Sequence, residues 1–118
     1  MPLILVIEDD ADTRDAYAGW LELGGFTVEL AGSGRDGWQL AQRSQPDAIL
    51  LDLTLPDIDG RKLRDELSAH ERTRSIPIFA MTGHALGADE RALFSKVFLK
   101  PVDLDRVIAC LHELPRRA

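Results

Sequence analysis

Short apolar runs alternate with amphipathic stretches along this chain, and that alternation limits the folds it can adopt. Runs rich in Val, Ile, Leu and Phe predict five β-strands, at Leu3–Ile7, Thr27–Leu30, Ala48–Leu51, Ile76–Met81 and Val97–Leu99. Turn residues and helix-like periodicity fill the gaps between these runs. Such regular alternation is typical of βα units, which build a parallel sheet covered by helices on both faces.

The number of βα units predicts the architecture. Five units with right-handed crossovers predict an α/β protein, a flavodoxin-like three-layer αβα sandwich. Its five-stranded parallel sheet is expected in the order 2-1-3-4-5, with five helices. Because this order places the first strand beside the third, the crevice between their carboxyl ends is the expected ligand site.

The helices are predicted from capping residues, apolar spacing and terminating glycines or prolines. The first starts near Asp10 or Asp12 and ends at Gly24-Gly25. It carries three residues at helical spacing, Ala16, Trp20 and Leu23. The others are predicted from the Ser33 cap to about Arg43, after Gly60, around Ala88–Phe94 as a short or irregular helix, and from about Leu104 to Leu114. Four large aromatic residues are assigned to the core: Trp20, Trp38, Phe26 and Phe79.

Composition and charge restrict the class of protein. The chain of 118 residues suits one domain, taken as residues 1–118. A net charge of −6 argues against a nucleic-acid partner, because phosphate backbones are bound mainly by clustered Lys and Arg. No apolar run approaches the roughly 20 residues that cross a membrane. Cys110 is the only cysteine, so no disulfide is expected and a cytoplasmic location is favoured.

Charged residues directly follow three of the predicted strands. Glu8-Asp9 comes after the first strand, Asp52 after the third and Lys100 after the fifth. The predicted strand order brings Glu8, Asp9 and Asp52 into one crevice. Carboxylates held a few Å apart repel one another, so a site that keeps them ionised needs a cation. Oxygen ligands without a His or Cys cluster favour Mg²⁺.

The same edge of the sheet holds groups suited to phosphoryl transfer. Lys100 supplies a fixed cation, and Thr82, after the fourth strand, supplies a hydroxyl. A magnesium ion flanked by such groups can neutralise the oxygen charge of a phosphoryl group. Asp52 is then the candidate nucleophile, and its product would be an acyl phosphate.

Four short motifs follow the predicted strands in order. They are the acidic pair Glu8-Asp9, the loop Asp52–Gly60, the segment Met81-Thr82-Gly83 and the dipeptide Lys100-Pro101. Together they resemble the receiver domains of two-component response regulators, of the single-domain type found in chemotaxis. The resemblance covers the whole chain, and four motifs in the right order are far more specific than any one of them.

The resemblance implies a phosphoacceptor and a set of metal ligands. Asp52 would accept a phosphoryl group. Mg²⁺ would be held by Asp9, Asp52 and the backbone carbonyl of Thr54, while Glu8 would act mainly through a coordinated water. The cofactor implied is therefore Mg²⁺, bound only by oxygen.

The resemblance also implies how the phosphoryl group is held. Lys100 would pair with Asp52 at rest and with a phosphoryl oxygen after transfer. Thr82 would swing to bind another of these oxygens. The Lys100-Pro101 peptide bond would be cis.

Partners follow from the same resemblance. The donor would be a phosphohistidine on a sensor histidine kinase or a phosphotransfer protein. Phosphorylation would alter protein–protein interactions of the receiver. The chain would carry out much of the transfer and its own dephosphorylation, without being a stand-alone metabolic enzyme.

Two departures from the family pattern concern how phosphorylation would change the output surface. The family commonly has Tyr or Phe three residues before the lysine, where this chain has Val97. Phe98 follows, but alternation along a strand sends it to the opposite face, so we assign it to the core. The segment between Thr82 and Lys100 is also short. We therefore expect the output surface to depend on backbone shifts of the Gly83–Gly87 loop.

Two other functions compete with a phosphoryl-accepting module. An aspartyl-phosphatase of the haloacid-dehalogenase type needs a second Asp two residues after its nucleophile, where this chain has Thr54. A receiver-like interaction module that works without phosphorylation is favoured by Val97 and by the short fourth segment.

The remaining polar residues have simpler interpretations. Asp10 and Asp12 are interpreted as caps of the first helix, and Asp57 and Asp59 as turn residues. His84 lies two residues after Thr82 and is a candidate for tuning hydrolysis of the phosphoryl group.

Overall fold

Five β-strands alternate with five α-helices in a computed structural model, which describes residues 1–115. The strands are β1 (Leu3–Ile7), β2 (Thr27–Ala31), β3 (Ala48–Asp52), β4 (Ile78–Thr82) and β5 (Lys96–Leu99). The helices are α1 (Ala11–Leu23), α2 (Gly34–Ser44), α3 (Gly60–Ala69), α4 (Ala88–Arg91) and α5 (Leu104–His112). Across this described span, no helix is both long enough and apolar enough to traverse a lipid bilayer.

The strands form one parallel sheet in the order β2-β1-β3-β4-β5, which confirms the predicted flavodoxin-like sandwich. Leu21 of α1 and Leu111 of α5 belong to the core on one face, and Ala41 of α2 and Leu63 of α3 to the core on the other. Helices on both faces leave β3 and β4 fully buried. Because β1 pairs with β3, their carboxyl ends lie side by side.

The strand limits differ slightly from those predicted. β4 starts at Ile78 and not at Ile76, because Pro77 has no N–H with which to join the ladder. The Pro77 carbonyl still accepts a hydrogen bond from the Ile49 N–H at 3.0 Å. β3 extends one residue further than predicted, so Asp52 is itself the last residue of the strand.

The buried face of α1 is not the one predicted. The three residues expected at helical spacing are exposed: Ala16, Trp20 and Leu23. The buried stripe consists of Tyr17, Ala18 and Leu21. Both stripes have helical spacing, so periodicity alone could not choose between them. The choice was made by packing, since Tyr17 and Leu21 join the same core cluster as Phe26 and Phe79.

The assignment of Trp20 to the core is wrong. Its side chain lies at the surface beside α5, where the indole N–H donates a hydrogen bond to Asp105 Oδ1 at 3.0 Å. A tryptophan at such a boundary rests its ring on the protein and keeps its N–H hydrogen-bonded. Phe26 and Phe79 are buried as predicted, and Trp38 is partly buried against the core.

The fourth and fifth helices end before the last residues predicted for them. α4 has only four residues and ends at Arg91, which confirms the short fourth helix. Phe94 lies beyond it but is still buried in the core. α5 ends at His112, and the chain continues in a tighter turn in which the Leu114 N–H donates to the Leu111 carbonyl at 3.2 Å.

Aspartates bind the amino termini of four helices, of which α5 is capped by Asp103. Asp10 caps α1 as predicted and accepts a hydrogen bond from the Thr13 N–H at 2.9 Å. Asp59 caps α3. Asp57, interpreted as a turn residue, instead reaches α2 and accepts the N–H groups of Gly34 and Arg35 at 2.9 and 3.0 Å. These bonds, that from Gly34 foremost, lower the pKa of the Asp57 carboxyl. Asp57 therefore joins the loop after β3 to the amino terminus of α2.

Gly60 allows α3 to start in contact with the loop that follows Asp52. A Cβ at this position would lie 2.6 Å from the Leu53 Cα and 3.1 Å from the Asp52 carbonyl oxygen. Backbone atoms cannot rotate away, so we expect Gly60→Ala to lower the free energy of unfolding by about 1–3 kcal/mol. Urea denaturation measures this loss.

Gly19 provides the matched control for this substitution. It lies on the exposed side of α1, and a Cβ there would meet nothing within 4 Å. Gly19→Ala is therefore expected to stabilise the protein, by up to about 1 kcal/mol. Equal stability of Gly60→Ala and the wild type would contradict the close approach at Gly60.

Candidate functional site

Asp52 lies at the carboxyl end of β3 with only 2% of its surface exposed. Both of its carboxylate oxygens are hydrogen-bonded. Oδ2 accepts from the Lys100 Nζ at 2.8 Å, and Oδ1 accepts from the Thr54 N–H at 2.9 Å. A buried carboxylate needs such partners, because an isolated charge away from water is very costly. The side chain is thus held in one orientation, with a cation and a backbone donor beside it.

The acidic pair lies beside Asp52, as the strand order predicted. Ile7 pairs with Leu51, so Glu8 and Asp9 leave β1 next to the end of β3. Carboxylate oxygens of Glu8, Asp9 and Asp52 lie within 4.8 Å of one another. Glu8 is buried, whereas Asp9 is exposed to the crevice.

Lys100 is positioned by its backbone as well as by its charge. Its N–H donates to the Thr82 carbonyl at 2.8 Å, which holds the end of β5 beside the end of β4. The following peptide bond, to Pro101, is cis as predicted. Burial acts to lower the pKa of Lys100, but the hydrogen bond and charge of Asp52 outweigh it and raise the pKa above its ordinary value. Lys100 is therefore a permanent cation.

Thr82 ends β4, one residue beyond the pairing partner of Asp52. Its hydroxyl is engaged by its own loop, since it accepts from the His84 N–H at 3.1 Å and lies 3.2 Å from the His84 carbonyl oxygen. The site thus brings Asp52 and Lys100 into direct contact, while the hydroxyl of Thr82 is bound to the segment that follows it.

The close approach of the carboxylates changes the pKa of Glu8. Burial, followed by the negative charge of Asp52, raises the pKa of Glu8 to about 7, although a hydrogen bond from the Asp10 N–H opposes the shift. Three carboxylates face one nearby ammonium, that of Lys100. A site with an excess of negative charge and only oxygen donors suits a hard divalent cation. Glu8, Asp9 and Asp52 are therefore the residues that could hold a metal.

Two residues of α1 near the acidic pair were not identified from the sequence. Tyr17 lines the crevice together with the acidic residues and Lys100, and burial followed by the charge of Glu8 raises the pKa of its phenol. Arg14 lies one helical turn before Tyr17 and reaches back to the carbonyl oxygen of Glu8 at 2.9 Å. Spacings of three and four residues from Asp10 could have indicated that this face of α1 covers the site.

The residues of the fifth strand lie where alternation placed them. Phe98 is buried in the core cluster shared with α1 and α5, and its ring centroid lies 5.8 Å from that of Phe79. Val97 packs on the opposite face, against the cluster shared with α2 and α3. The assignment of Phe98 to the core is confirmed, and the position at which the family commonly has an aromatic residue holds a small aliphatic side chain.

The fold and the site agree with one protein family. The family model of the response regulator receiver domain matches residues 4–112 of this chain. The chain belongs to this family, and it is a receiver domain of two-component signal transduction, whose members accept a phosphoryl group.

Individual relatives support the same assignment. The DNA-binding dual master transcriptional regulator RpaA of Synechocystis is 36% identical over 99% of this chain, and the chain spans 50% of that regulator's length. The polar-differentiation response regulator DivK of Brucella ovis is 28% identical over 89% of both chains.

A solved structure extends the comparison to the site. The receiver domain of a sensor histidine kinase from Pseudomonas aeruginosa PAO1 is 30% identical, with a TM-score of 0.85 over 94% of each chain. That structure contains a magnesium ion coordinated in its active-site cleft.

The raised pKa of Glu8 predicts how the stability of the metal-free protein depends on pH. Between pH 4.5 and about 7 the folded state keeps a proton that the unfolded state releases, so stability falls as pH rises through this window. We expect Glu8→Gln to raise the free energy of unfolding by roughly 1–3 kcal/mol above pH 7 and to have no effect below pH 4.5.

Urea denaturation in the presence of EDTA, repeated from pH 4 to 8, measures this difference. Glu22→Gln on the exposed side of α1 is the control and should leave the pH profile unchanged. Parallel profiles for Glu8→Gln and wild type would show that Glu8 is not desolvated in the folded protein.

Proposed function

We propose that Asp52 is the phosphoacceptor of this receiver domain. The observation that carries the proposal is the contact of 2.8 Å between Asp52 Oδ2 and Lys100 Nζ. It places a buried carboxylate at the carboxyl edge of the sheet, with a cation beside it. A carboxylate in this position can act as a nucleophile, and the cation can neutralise charge on the incoming group.

In the proposed step, a carboxylate oxygen of Asp52 attacks the phosphorus of a phosphohistidine. A new P–O bond forms, the P–N bond breaks, and the imidazole nitrogen leaves with the electron pair of that bond. Lys100 then exchanges its contact with Asp52 for a contact with a phosphoryl oxygen. The hydrogen bond from the Thr54 N–H to Oδ1 keeps the carboxylate oriented throughout.

The metal of the proposed site is Mg²⁺. Asp9, Asp52 and the Thr54 carbonyl would be its ligands, and Glu8 would act through a coordinated water. When bound, Mg²⁺ neutralises phosphoryl oxygens and relieves the repulsion among the carboxylates. The mutual approach of the three acidic side chains within 4.8 Å supports this assignment.

Thr82 is proposed to bind a second phosphoryl oxygen. Its hydroxyl lies at the end of β4, beside the end of β3 where Asp52 lies. The hydroxyl is hydrogen-bonded to the backbone of His84. Binding the phosphoryl group therefore requires the hydroxyl to leave His84, which releases the start of the Gly83–Gly87 loop. His84 remains a candidate for tuning hydrolysis from this loop.

The proposed partners are proteins. A sensor histidine kinase or a histidine phosphotransfer protein would supply the phosphoryl group in the cytoplasm, and another protein would recognise the phosphorylated form. The domain would act as a phosphoryl acceptor that hydrolyses its own acyl phosphate, and not as a metabolic enzyme.

Intact mass spectrometry tests the acceptor. After incubation with acetyl phosphate and Mg²⁺, the wild type should gain the mass of one phosphoryl group, and EDTA should prevent the gain. Asp52→Asn should gain none, because an amide is not an effective nucleophile at this position.

Asp15→Asn is the matched control, since Asp15 is an exposed aspartate on α1. It should be phosphorylated as the wild type is. A wild type that gains no mass would favour the alternative function, a receiver-like interaction module that works without phosphorylation.

Phosphorylation is also expected to alter the Gly83–Gly87 loop. Thr82 is the only described hydroxyl bound to the His84 backbone, so its release should change the amide environments of residues 83–87. Amide chemical shifts compared before and after phosphorylation measure this. Changes confined to residues near Asp52, with residues 83–87 unaffected, would argue against the loop as the output route.

A further inference from the structure

Arg14 binds the segment that carries the acidic pair. Its side chain is half-buried and turns back from α1 over the loop between β1 and α1. Nη1 donates to the carbonyl oxygen of Glu8 at 2.9 Å and lies 3.5 Å from the carbonyl oxygen of Asp9. Both carbonyls lie beyond the end of β1, where a backbone acceptor needs a partner outside the strand.

The space for the guanidinium depends on Gly32, the residue that follows β2. A Cβ at position 32 would lie 3.1 Å from Arg14 Nη1 and 3.7 Å from its Cζ. The guanidinium therefore lies between the β1–α1 loop and the residue after β2. Glu8 is held from the same side, because its N–H donates to the Ala31 carbonyl at 3.0 Å.

The peptide units that Arg14 binds are the ones that carry the Glu8 and Asp9 carboxylates. These carboxylates repel each other and Asp52, so the loop would relieve the repulsion by turning one of them away. The hydrogen bond from Arg14 to the Glu8 carbonyl oxygen is charge-assisted, and such bonds are among the stronger ones in proteins. It opposes this rearrangement before any cation has bound.

We propose that Arg14 is a positioning residue, which holds the backbone of Glu8 and Asp9 in the conformation that binds the metal. This inference rests on the proposed function, because it takes the acidic crevice to bind Mg²⁺. Arg14 acts through the loop and not on the phosphoryl group. Its removal should therefore weaken metal binding, while transfer at saturating Mg²⁺ stays the same.

The sign of the effect separates positioning from simple electrostatics. Loss of one positive charge near an acidic cluster would, by itself, strengthen the binding of a cation. Loss of a positioning hydrogen bond weakens it, typically by 10-fold to 100-fold for residues that orient metal ligands. Arg14→Met keeps an apolar stem of similar length and removes both the charge and the donors.

Isothermal titration of the full chain with MgCl₂ tests the proposal. We expect Arg14→Met to raise the Mg²⁺ dissociation constant by about 10-fold or more. Arg14→Lys, which keeps the charge and one donor group, should recover part of the affinity. The rate of phosphorylation by acetyl phosphate at saturating Mg²⁺ should change by less than about twofold in both variants.

Two further variants control for charge and for folding. Arg35→Met removes an exposed arginine from α2 and should leave the dissociation constant unchanged. Gly32→Ala keeps every charge but crowds the guanidinium, so it should also weaken Mg²⁺ binding, and it provides the test if Arg14→Met does not fold. Thermal unfolding in EDTA verifies that each variant is folded.

The outcomes distinguish this inference from the proposed function. Equal or tighter Mg²⁺ binding by folded Arg14→Met and Gly32→Ala would overturn the positioning role and leave the function of Asp52 intact. A wild type that binds no Mg²⁺ would overturn both the metal site and the positioning role.

Discussion

Like charges meet where β1 and β3 end side by side, and the rest of the site is arranged around their repulsion. Lys100 contacts Asp52 directly, and burial beside Asp52 raises the pKa of Glu8 to about 7. This arrangement is costly for the fold, because three carboxylates lie within 4.8 Å of one another. The parallel order of the sheet imposes the arrangement, because it brings together residues more than 40 positions apart.

Short segments follow Thr82 on the way to α4. The Gly83–Gly87 loop starts at Thr82, whose hydroxyl binds the His84 backbone. Beyond the loop, Arg61 of α3 pairs with Glu90 of α4 at 3.0 Å, and Arg64 donates to the Leu93 carbonyl at 2.9 Å. Val97 packs against the core, and in the proposed function a change at Thr82 would act on the loop that begins at its contact with His84.

Much of the fold and the site could be predicted because each depends on local signals. Apolar runs marked the strands, and the Glu8-Asp9 pair, Asp52 and Lys100 follow three of them. The errors arose where two local patterns were equally good. On α1, the stripes that begin at Ala16 and at Tyr17 both have helical spacing, and packing against the sheet selected the second.

The sequence by itself determined the order of strands and helices, the parallel sheet and the acids and lysine at its carboxyl edge. Only the tertiary structure decided which side chains of α1 reach the crevice, that Asp57 binds the start of α2, and that Arg14 holds the Glu8 carbonyl. The contact of Asp57 joins two different βα units, and that of Arg14 depends on how its side chain folds back over the β1–α1 loop. Their geometry depends on how the layers pack, and periodicity within one segment carries no information about that.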